Sequence, residues 1–216
     1  ENGAGKTTLM KILFGMPVIN ETGGYGGRIL VDGKEVKFSS PFDALDAGIG
    51  MVHQEFSLIP GFSATENIML NRELQTPSIL SDLFTPRLSL LKRKEMNERA
   101  QAVLNELGVS IDAHTLISEM PVGHKQFTEI AREIDRDSVR LLVLDEPTAV
   151  LTESEADILL AAVKKLADKG IAVIFISHRL QEVIDICDRV VILRDGKTIQ
   201  DKKTSEITIP EIAAGM

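Results

Sequence analysis

The pattern of apolar and polar positions along the chain predicts a strand, a helix and a second strand in its C-terminal half. Leu141–Leu144 and Ile171–Ile176 are apolar without interruption, which is typical of parallel strands buried on both faces. The intervening segment Glu153–Lys169 has apolar residues at helical spacing, and Thr152 and Glu155 form a predicted capping box at its start. This order predicts an α/β domain with a parallel sheet.

The rest of the chain alternates in the same way. A hairpin turn is predicted at Asp32-Gly33, and a short helix begins with Ser40 as N-cap and Pro41 at its first position. Asn71–Glu95 mixes prolines with apolar and polar residues and is interpreted as a surface excursion. The other predicted elements are a helix over Lys6–Phe14, strands over Arg28–Val31, Glu35–Phe38 and Gly48–Val52, helices over Lys94–Leu107 and from about Lys125, and an extended segment over Arg189–Gln200.

Composition limits the classes of protein to which the chain can belong. Its 216 residues are 44% hydrophobic and 26% charged, which suits one sizeable α/β domain. A net charge of -8 provides no basic surface for nucleic acid. The single cysteine, Cys187, excludes an internal disulfide framework. No apolar run approaches the roughly 20 residues that cross a bilayer, so any role at a membrane is expected to come through a partner.

The first seven residues, Glu1–Thr7, read x-N-G-x-G-K-T, a phosphate-binding loop whose first glycine would precede residue 1. In such a loop the glycines let backbone N–H groups surround phosphate oxygens, Lys6 reaches the β and γ phosphates, and the Thr7 hydroxyl binds Mg²⁺. The alternative is a glycine turn that caps a helix, with Lys6 solvated. The predicted nucleotide-binding residues are Asn2, Gly3, Ala4, Gly5, Lys6, Thr7 and Thr8.

The stretch "LLVLDEPT" ends an apolar strand with two adjacent carboxylates. Neighbouring residues of a strand point to opposite faces, so Asp145 and Glu146 cannot share one role unless the strand has ended. We therefore expect Asp145 to hold Mg²⁺ and Glu146, past the strand end, to act as general base for the attacking water. The alternative is a surface turn closed by Pro147.

Two further polar residues follow predicted strands. His178 lies at the C-terminal end of the strand after "LLVLDE", where ligands bind in open parallel sheets, and is expected to hydrogen-bond the γ phosphate. Gln54 follows the strand Gly48–Val52 and is expected to coordinate Mg²⁺ or to orient water. The alternative is an ordinary loop glutamine. The remaining histidines have no metal-ligand spacing.

The phosphate loop, Gln54, "LDEPT" and "SH" follow one another in this order along the chain. In this order of motifs, almost the whole chain resembles the nucleotide-binding domain of ABC transporters. The stretches "GIGMVHQEFSLIP", "ATENIML", "DEPTAVLTESEA" and "ISHRLQEVIDICDRVVILRDGK" are similar to the first cassette of importer ATPases for simple sugars, and nucleoside importers are close kin. The resemblance implies a phosphate-loop NTPase fold, with a mainly parallel sheet, helices on both faces and a small antiparallel part. It also implies one domain over residues 1–216, with a helical subdomain inserted over about 63–135.

The same resemblance implies function and partners. ATP and Mg²⁺ would be bound, and ATP hydrolysis would energise uptake of a simple sugar at the cytoplasmic face of the cell membrane. The expected partners are a second ABC cassette, fused in the full-length chain, transmembrane permease subunits, and indirectly a periplasmic or lipid-anchored substrate-binding protein, with no nucleic acid. The transported molecule would contact those partners rather than this domain.

The sequence departs from the family at the signature pattern L-S-G-G-Q, which binds the γ phosphate of ATP held by the opposite cassette. Here the stretch is "MPVGHKQ", in which Gly123 matches the glycine. Pro121 replaces the serine and His124 the glutamine, so a hydroxyl and a backbone N–H are lost at residue 121. The element A-L-D is likewise "AVLT", with Thr152 at the aspartate position.

Such domains begin with strands upstream of the phosphate loop, one of which carries an aromatic residue that stacks on adenine. We therefore expect this fragment alone to be poorly folded. Two other functions are considered. A soluble ABC ATPase acting on ribosomes or DNA would carry coiled-coil insertions and basic patches, and a nucleotide-binding regulator without hydrolysis is disfavoured by Glu146 and His178.

Overall fold

The computed structural model describes residues 4–76, 90–136 and 138–216 of the chain. The helices are α1 (Lys6–Leu13), α2 (Pro17–Glu21), α3 (Pro41–Asp46), α4 (Ala64–Ile68), α5 (Arg93–Glu106), α6 (Val122–Ile134), α7 (Glu153–Asp168), α8 (Leu180–Ile186) and α9 (Ile209–Gly215). The strands are β1 (Ile29–Val31), β2 (Lys34–Val36), β3 (Ile49–Val52), β4 (Gln75–Thr76), β5 (Leu90–Leu91), β6 (Leu141–Asp145), β7 (Ala172–Ile176), β8 (Arg189–Arg194) and β9 (Lys197–Lys203). None of the helices in the described ranges is long and apolar enough to cross a membrane.

The chain divides into two compact units. The first, called the sheet unit, comprises Glu1–Met51, Ser138–Pro147 and Val163–Met216. The second, called the helical unit, comprises Val52–Asp137 and Thr148–Ala162. Within the predicted excursion over residues 71–95, β4 pairs with β5 and α5 begins at Arg93, while residues 77–89 lie outside the described ranges.

A three-stranded sheet with the order β3-β6-β7 forms the centre of the sheet unit. β6 and β7 are parallel, in a register that runs from Leu141 opposite Ala172 to Asp145 opposite Ile176, so the predicted parallel pair is confirmed. The expectation that both strands are buried on both faces is correct only for β6. The residues of β7 are mostly half-buried, because β7 is the edge strand of this sheet among the described residues.

Gly48 determines how β3 joins β6. Its backbone has φ +84°, and its carbonyl accepts hydrogen bonds from the backbone N–H groups of Arg140 (2.8 Å) and Leu141 (3.1 Å). A Cβ atom at this position would lie 2.3 Å from the Ser138 carbonyl oxygen. Only glycine combines this left-handed conformation with such close backbone contact.

Two antiparallel hairpins complete the strands of the sheet unit. β1 and β2 turn at Asp32-Gly33, where both residues have positive φ, as in the two-residue turns that match the twist of a hairpin. The predicted hairpin is therefore confirmed, with slightly shorter strands. The segment predicted as extended over Arg189–Gln200 is a second hairpin, β8 and β9, which turns at Asp195-Gly196.

Apolar side chains build two separate clusters in the sheet unit. One lies under α1, α3, β3 and β6, and the other joins α8, β8 and α9. The first cluster contains Met10, Phe14, Phe38, Ala44, Ile49, Met51 and Val143. The second contains Val183, Val190, Ile192, Ile207 and Ile212.

The helical unit is formed by the mutual packing of α4, α5 and α6. Its fully buried side chains include Ile68, Met69, Leu104, Phe127 and Ile130. α4 begins with a capping box between Ser63 and Glu66. α6 begins at Val122, three residues before the predicted start near Lys125. Pro121 is its N-cap, with φ −55° and ψ 155°, a position at which the missing N–H of proline breaks no hydrogen bond of the helix.

A buried ionic group joins the three helices of the helical unit. Asp135, the C-cap of α6, accepts a hydrogen bond from Arg72 Nη1 on Oδ2 (2.7 Å) and from Arg99 Nε on Oδ1 (2.6 Å). Arg72 follows α4, and Arg99 belongs to α5. The Asp135 side chain is 1% exposed, so both carboxylate oxygens exchange water for arginine donors.

A groove of about 820 Å³ lies in the sheet unit beside β7. Its lining includes the apolar residues Val163, Phe175, Val183, Ile192 and Met216. We expect the 216-residue chain, expressed alone, to unfold without a sharp transition and to bind an apolar dye, because apolar residues of β7 that line this groove, such as Ile174 and Phe175, are only half-buried. Urea unfolding followed by circular dichroism and by dye fluorescence tests this. Cooperative unfolding with native-like stability would contradict it.

Replacing Asp135 by Asn in the full-length protein should destabilise the helical unit by about 3 kcal/mol, because two partly buried arginines lose their counter-charge. The matched control is Asp201→Asn, which removes the carboxylate from an exposed pair with Arg189 and should have a much smaller effect. Thermal unfolding of both variants measures the difference. Equal losses in the two variants would show that Asp135 does not brace the helices.

Candidate functional site

The turn after β6 separates the two adjacent carboxylates. β6 ends at Asp145, and Glu146 has φ +53°, an uncommon conformation for a residue with a side chain. The Glu146 N–H donates a hydrogen bond to the Ile176 carbonyl (2.9 Å), which extends the pairing of β6 with β7 by one residue. Glu146 therefore lies past the strand end, as the sequence predicted, and its carboxylate is not constrained by the alternation of a strand.

The Glu146 carboxylate contacts His178, which follows β7. Glu146 Oε2 lies 2.6 Å from His178 Nδ1, and the backbone N–H of His178 donates to the same oxygen at 3.4 Å. A carboxylate only accepts hydrogen bonds, so with Glu146 ionised Nδ1 carries the proton. The Glu146 side chain is 15% exposed and that of His178 is 63% exposed. This pair can hold a proton acceptor in a fixed orientation at the edge of the sheet.

The described part of the phosphate-loop sequence begins at Ala4, and Asn2 and Gly3 lie outside it. Gly5 has φ +94° and is the N-cap of α1, so Lys6 is the first helical residue. The turn between β8 and β9 lies against this loop, because the Gly196 N–H donates to the Ala4 carbonyl (3.1 Å). A Cβ atom on Gly5 would come within 3.2 Å of the Gly196 Cα atom.

The first turn of α1 provides donors of the kind that a nucleotide and Mg²⁺ require. Thr7 and Thr8 are exposed there and Lys6 is half-buried, and backbone N–H groups at a helix N-terminus bind phosphate. The Thr7 hydroxyl and the Asp145 carboxylate are hard oxygen donors that fit Mg²⁺. No group of three or more His, Cys, Asp or Glu suited to a metal occurs among the described residues. Oxygen donors of this kind are those with which a protein holds Mg²⁺ that also binds phosphate oxygens.

The predicted site residues fall into both units. The sheet unit holds the residues of the phosphate loop, Asp145, Glu146 and His178, of which the structure shows Glu146 and His178 in direct contact. Gln54 and Gly123 belong to the helical unit. Gln54 is exposed in the loop that follows β3.

Gly123 is buried in the first turn of α6, beside Glu155. A Cβ atom on Gly123 would lie 2.2 Å from Glu155 Oε1. The other carboxylate oxygen, Oε2, accepts from the Thr152 N–H (2.9 Å) and hydroxyl (2.8 Å), which confirms the predicted capping box. These bonds, together with His124, lower the pKa of the Glu155 carboxyl. A side chain at position 123 would therefore have to displace the Glu155 carboxylate from its place beside α6.

The sequence interpretation missed a polar contact around the loop that carries Gln54. Glu129 and Arg132 of α6 both bond to Ser57. A signal was present, because Gln126, Glu129 and Glu133 recur at spacings of three and four, as buried positions of a helix do. All three of these residues are buried.

Comparisons with known proteins agree with the fold and with these motifs. The family model described as ABC transporter matches residues 1–149. The ribose import ATP-binding protein RbsA of Hahella chejuensis is 43% identical over 212 residues, which are 98% of this chain and 39% of that protein. The glucose import ATP-binding protein TsgD13 of Haloferax volcanii is 40% identical over 233 residues, which cover 100% of this chain and 41% of that protein.

A solved structure supports the fold class independently. The crystal structure of a nucleotide-free ATP-binding cassette from an ABC transporter is similar with a TM-score of 0.77 and 25% identity, over 99% of this chain and 81% of that chain. The fold predicted from the sequence is therefore confirmed. The chain spans about two fifths of the length of the import proteins that it matches. Because the family model covers more than half of its residues, the chain belongs to the ABC transporter family.

Proposed function

We propose that this chain binds and hydrolyses ATP with Mg²⁺ and energises the uptake of a simple sugar through membrane-spanning partner subunits. The contact between Glu146 and His178 is the observation that carries the proposal, because it places a held carboxylate where the parallel strands end. Relatives named for ribose import and for glucose import match at nearly equal identity. The proposal is therefore for simple sugars as a class.

Different residues of the chain bind the phosphates, hold the metal ion and accept the proton in the proposed hydrolysis. Backbone N–H groups of the phosphate loop and Lys6 hold the phosphates, and Thr7, Asp145 and Gln54 would hold Mg²⁺, which neutralises charge on the phosphates. Glu146 accepts the proton of the attacking water. His178 orients the Glu146 carboxylate through Nδ1, which leaves Nε2 available to the γ phosphate.

The proposed partners follow from the family and from the named relatives. A second cassette would complete the nucleotide sites, and permease subunits would convert closure and reopening of the two cassettes into transport. A substrate-binding protein would deliver the sugar to the permease. The chain would then act at the cytoplasmic face of the membrane as a peripheral subunit.

We further propose that the two composite nucleotide sites differ. ATP on Lys6, Asp145 and Glu146 of this chain would be completed by the partner cassette. ATP on the partner would meet the first turn of α6, where Pro121 is the N-cap without a side-chain hydrogen bond. Proline offers neither a hydroxyl nor an N–H to phosphate, so this second site would hydrolyse ATP slowly.

Replacing Glu146 by Gln in the full-length protein should reduce ATP hydrolysis by about a hundredfold or more, because the amide cannot take the proton of water. ATP binding should be retained, since Lys6 and Thr7 are unchanged. Phosphate release and equilibrium nucleotide binding measure the two effects. The control is Glu153→Gln on the exposed start of α7, which should hydrolyse normally, and hydrolysis that persists in Glu146→Gln would overturn the assignment of the base.

Replacing Pro121 by Ser should raise the ATP turnover of the assembled transporter, because the hydroxyl and the N–H return together. The variant Pro121→Ala restores the N–H alone and should give a smaller increase. Steady-state hydrolysis at saturating ATP compares the two with the unmodified protein. The proposed asymmetry would be refuted if neither variant changed the turnover and both nucleotide sites of the unmodified protein were fully active.

A further inference from the structure

Glu129 is a buried carboxylate on α6 that holds a loop distant in sequence. Its side chain is fully buried, and its Oε1 atom accepts hydrogen bonds from the Ser57 backbone N–H (2.5 Å) and the Ser57 hydroxyl (3.2 Å). The two residues are 72 positions apart and belong to the same helical unit. One turn of α6 therefore fixes the backbone of the loop that follows β3.

Arg132, three residues further along α6, completes the attachment. Its Nη1 donates to the Ser57 carbonyl (3.3 Å) and its Nη2 to the Ser57 hydroxyl (3.2 Å). Arg132 Nη2 also lies 3.8 Å from Glu129 Oε1. The N–H, the C=O and the hydroxyl of Ser57 are thus all bonded to Glu129 or Arg132, and these two residues form what we call the Ser57 clamp.

Only one oxygen of the Glu129 carboxylate takes part in this clamp. Glu129 Oε2 is buried and has no hydrogen-bond partner in the part of the chain that the structure describes. Burial raises the pKa of the Glu129 carboxyl, and the opposing contributions come from Ser57, Arg132 and His53. Apolar residues in place of a buried ion pair are often as stable or more stable. Holding Ser57 is therefore the effect of Glu129 that an apolar residue would not reproduce.

The clamp acts close to Gln54. β3 ends at Val52, and Gln54 and Ser57 lie in the loop between this strand and Ile59. Ile59 is itself attached to the buried Asn67 side chain through its N–H (2.7 Å) and its C=O (3.2 Å). The loop is thus anchored at the strand, at Ser57 and at Ile59, and the Ser57 clamp is the anchor nearest to Gln54 on its C-terminal side.

We propose that Glu129 is a positioning residue that sets the location of Gln54 by holding the Ser57 N–H. The proposal rests on the proposed function in one respect, namely that Gln54 serves the Mg²⁺-dependent hydrolysis of ATP. Glu129 itself touches neither nucleotide nor metal in this scheme. Its effect on hydrolysis passes through the backbone of residues 54–57.

The first test measures the loop without reference to hydrolysis. In the full-length protein, hydrogen exchange of the peptide that contains Ser57 should become about tenfold faster or more in Glu129→Ala, because the N–H loses a charged acceptor. Glu129→Gln keeps an oxygen at the same place and should exchange more slowly than Glu129→Ala. The control is Thr128→Val. Thr128 neighbours Glu129 and is equally buried, and its hydroxyl donates a hydrogen bond to the His124 carbonyl (2.8 Å). Removing this bond should leave the exchange rate of the Ser57 peptide unchanged.

The second test connects the loop to Gln54. ATP hydrolysis by Glu129→Ala should fall and should need a higher Mg²⁺ concentration for half-maximal rate, with partial recovery in Glu129→Gln. In a Gln54→Ala background, adding Glu129→Ala should lower the rate no further, because the positioned group is already absent. Thr128→Val should retain the Mg²⁺ dependence of the unmodified protein.

Two results would overturn the inference. The first is a hydrogen-exchange rate of the Ser57 peptide that does not change in Glu129→Ala. The second is a double variant, Gln54→Ala with Glu129→Ala, in which the two reductions in hydrolysis rate multiply, since Glu129 and Gln54 would then act separately. These outcomes are independent of the proposed function, which fails if Glu146→Gln hydrolyses ATP as fast as the unmodified protein. The exchange measurement keeps the two failures distinct, because it requires no hydrolysis.

Discussion

The parallel pairing of β6 with β7 is the interaction on which the candidate site depends. Its register places Asp145 opposite Ile176, so both strands end at the same edge of the sheet. The hydrogen bond from the Glu146 N–H to the Ile176 carbonyl carries this pairing one residue beyond β6. Glu146 and His178 can therefore meet although they are 32 residues apart. Without this register the two side chains would have no reason to be neighbours.

The surrounding fold maintains an uncommon backbone conformation at Glu146. A residue with a side chain at φ +53° carries strain of about 1–3 kcal/mol. The surrounding bonds offset it, since the backbone N–H is held by β7 and the carboxylate by His178. The two adjacent acids therefore differ in backbone setting, with Asp145 as the last residue of β6 and Glu146 in the turn that follows it.

The helical unit uses two buried carboxylates in different ways. Asp135 has both oxygens bonded to arginines, Arg99 on α5 and Arg72 in the turn after α4, so it connects the end of α6 to both of them. Glu129 has one oxygen bonded to Ser57 and the other buried without a hydrogen-bond partner among the described residues. The bonded oxygen of Glu129 attaches α6 to Ser57, which lies in the same loop as Gln54.

Local patterns in the sequence determined several features, because each depends on residues within a few positions of one another. These features are the strands β6 and β7, the capping box of Thr152 and Glu155, the turn at Asp32-Gly33 and the glycine-rich start of α1. The order of these motifs was also sufficient to predict the fold class. Tertiary structure alone decided the contact of Glu146 with His178, the burial of Glu129 against Ser57 and the half-open face of β7. These features depend on residues far apart in the chain, whose proximity follows from strand register and helix packing rather than from any local pattern.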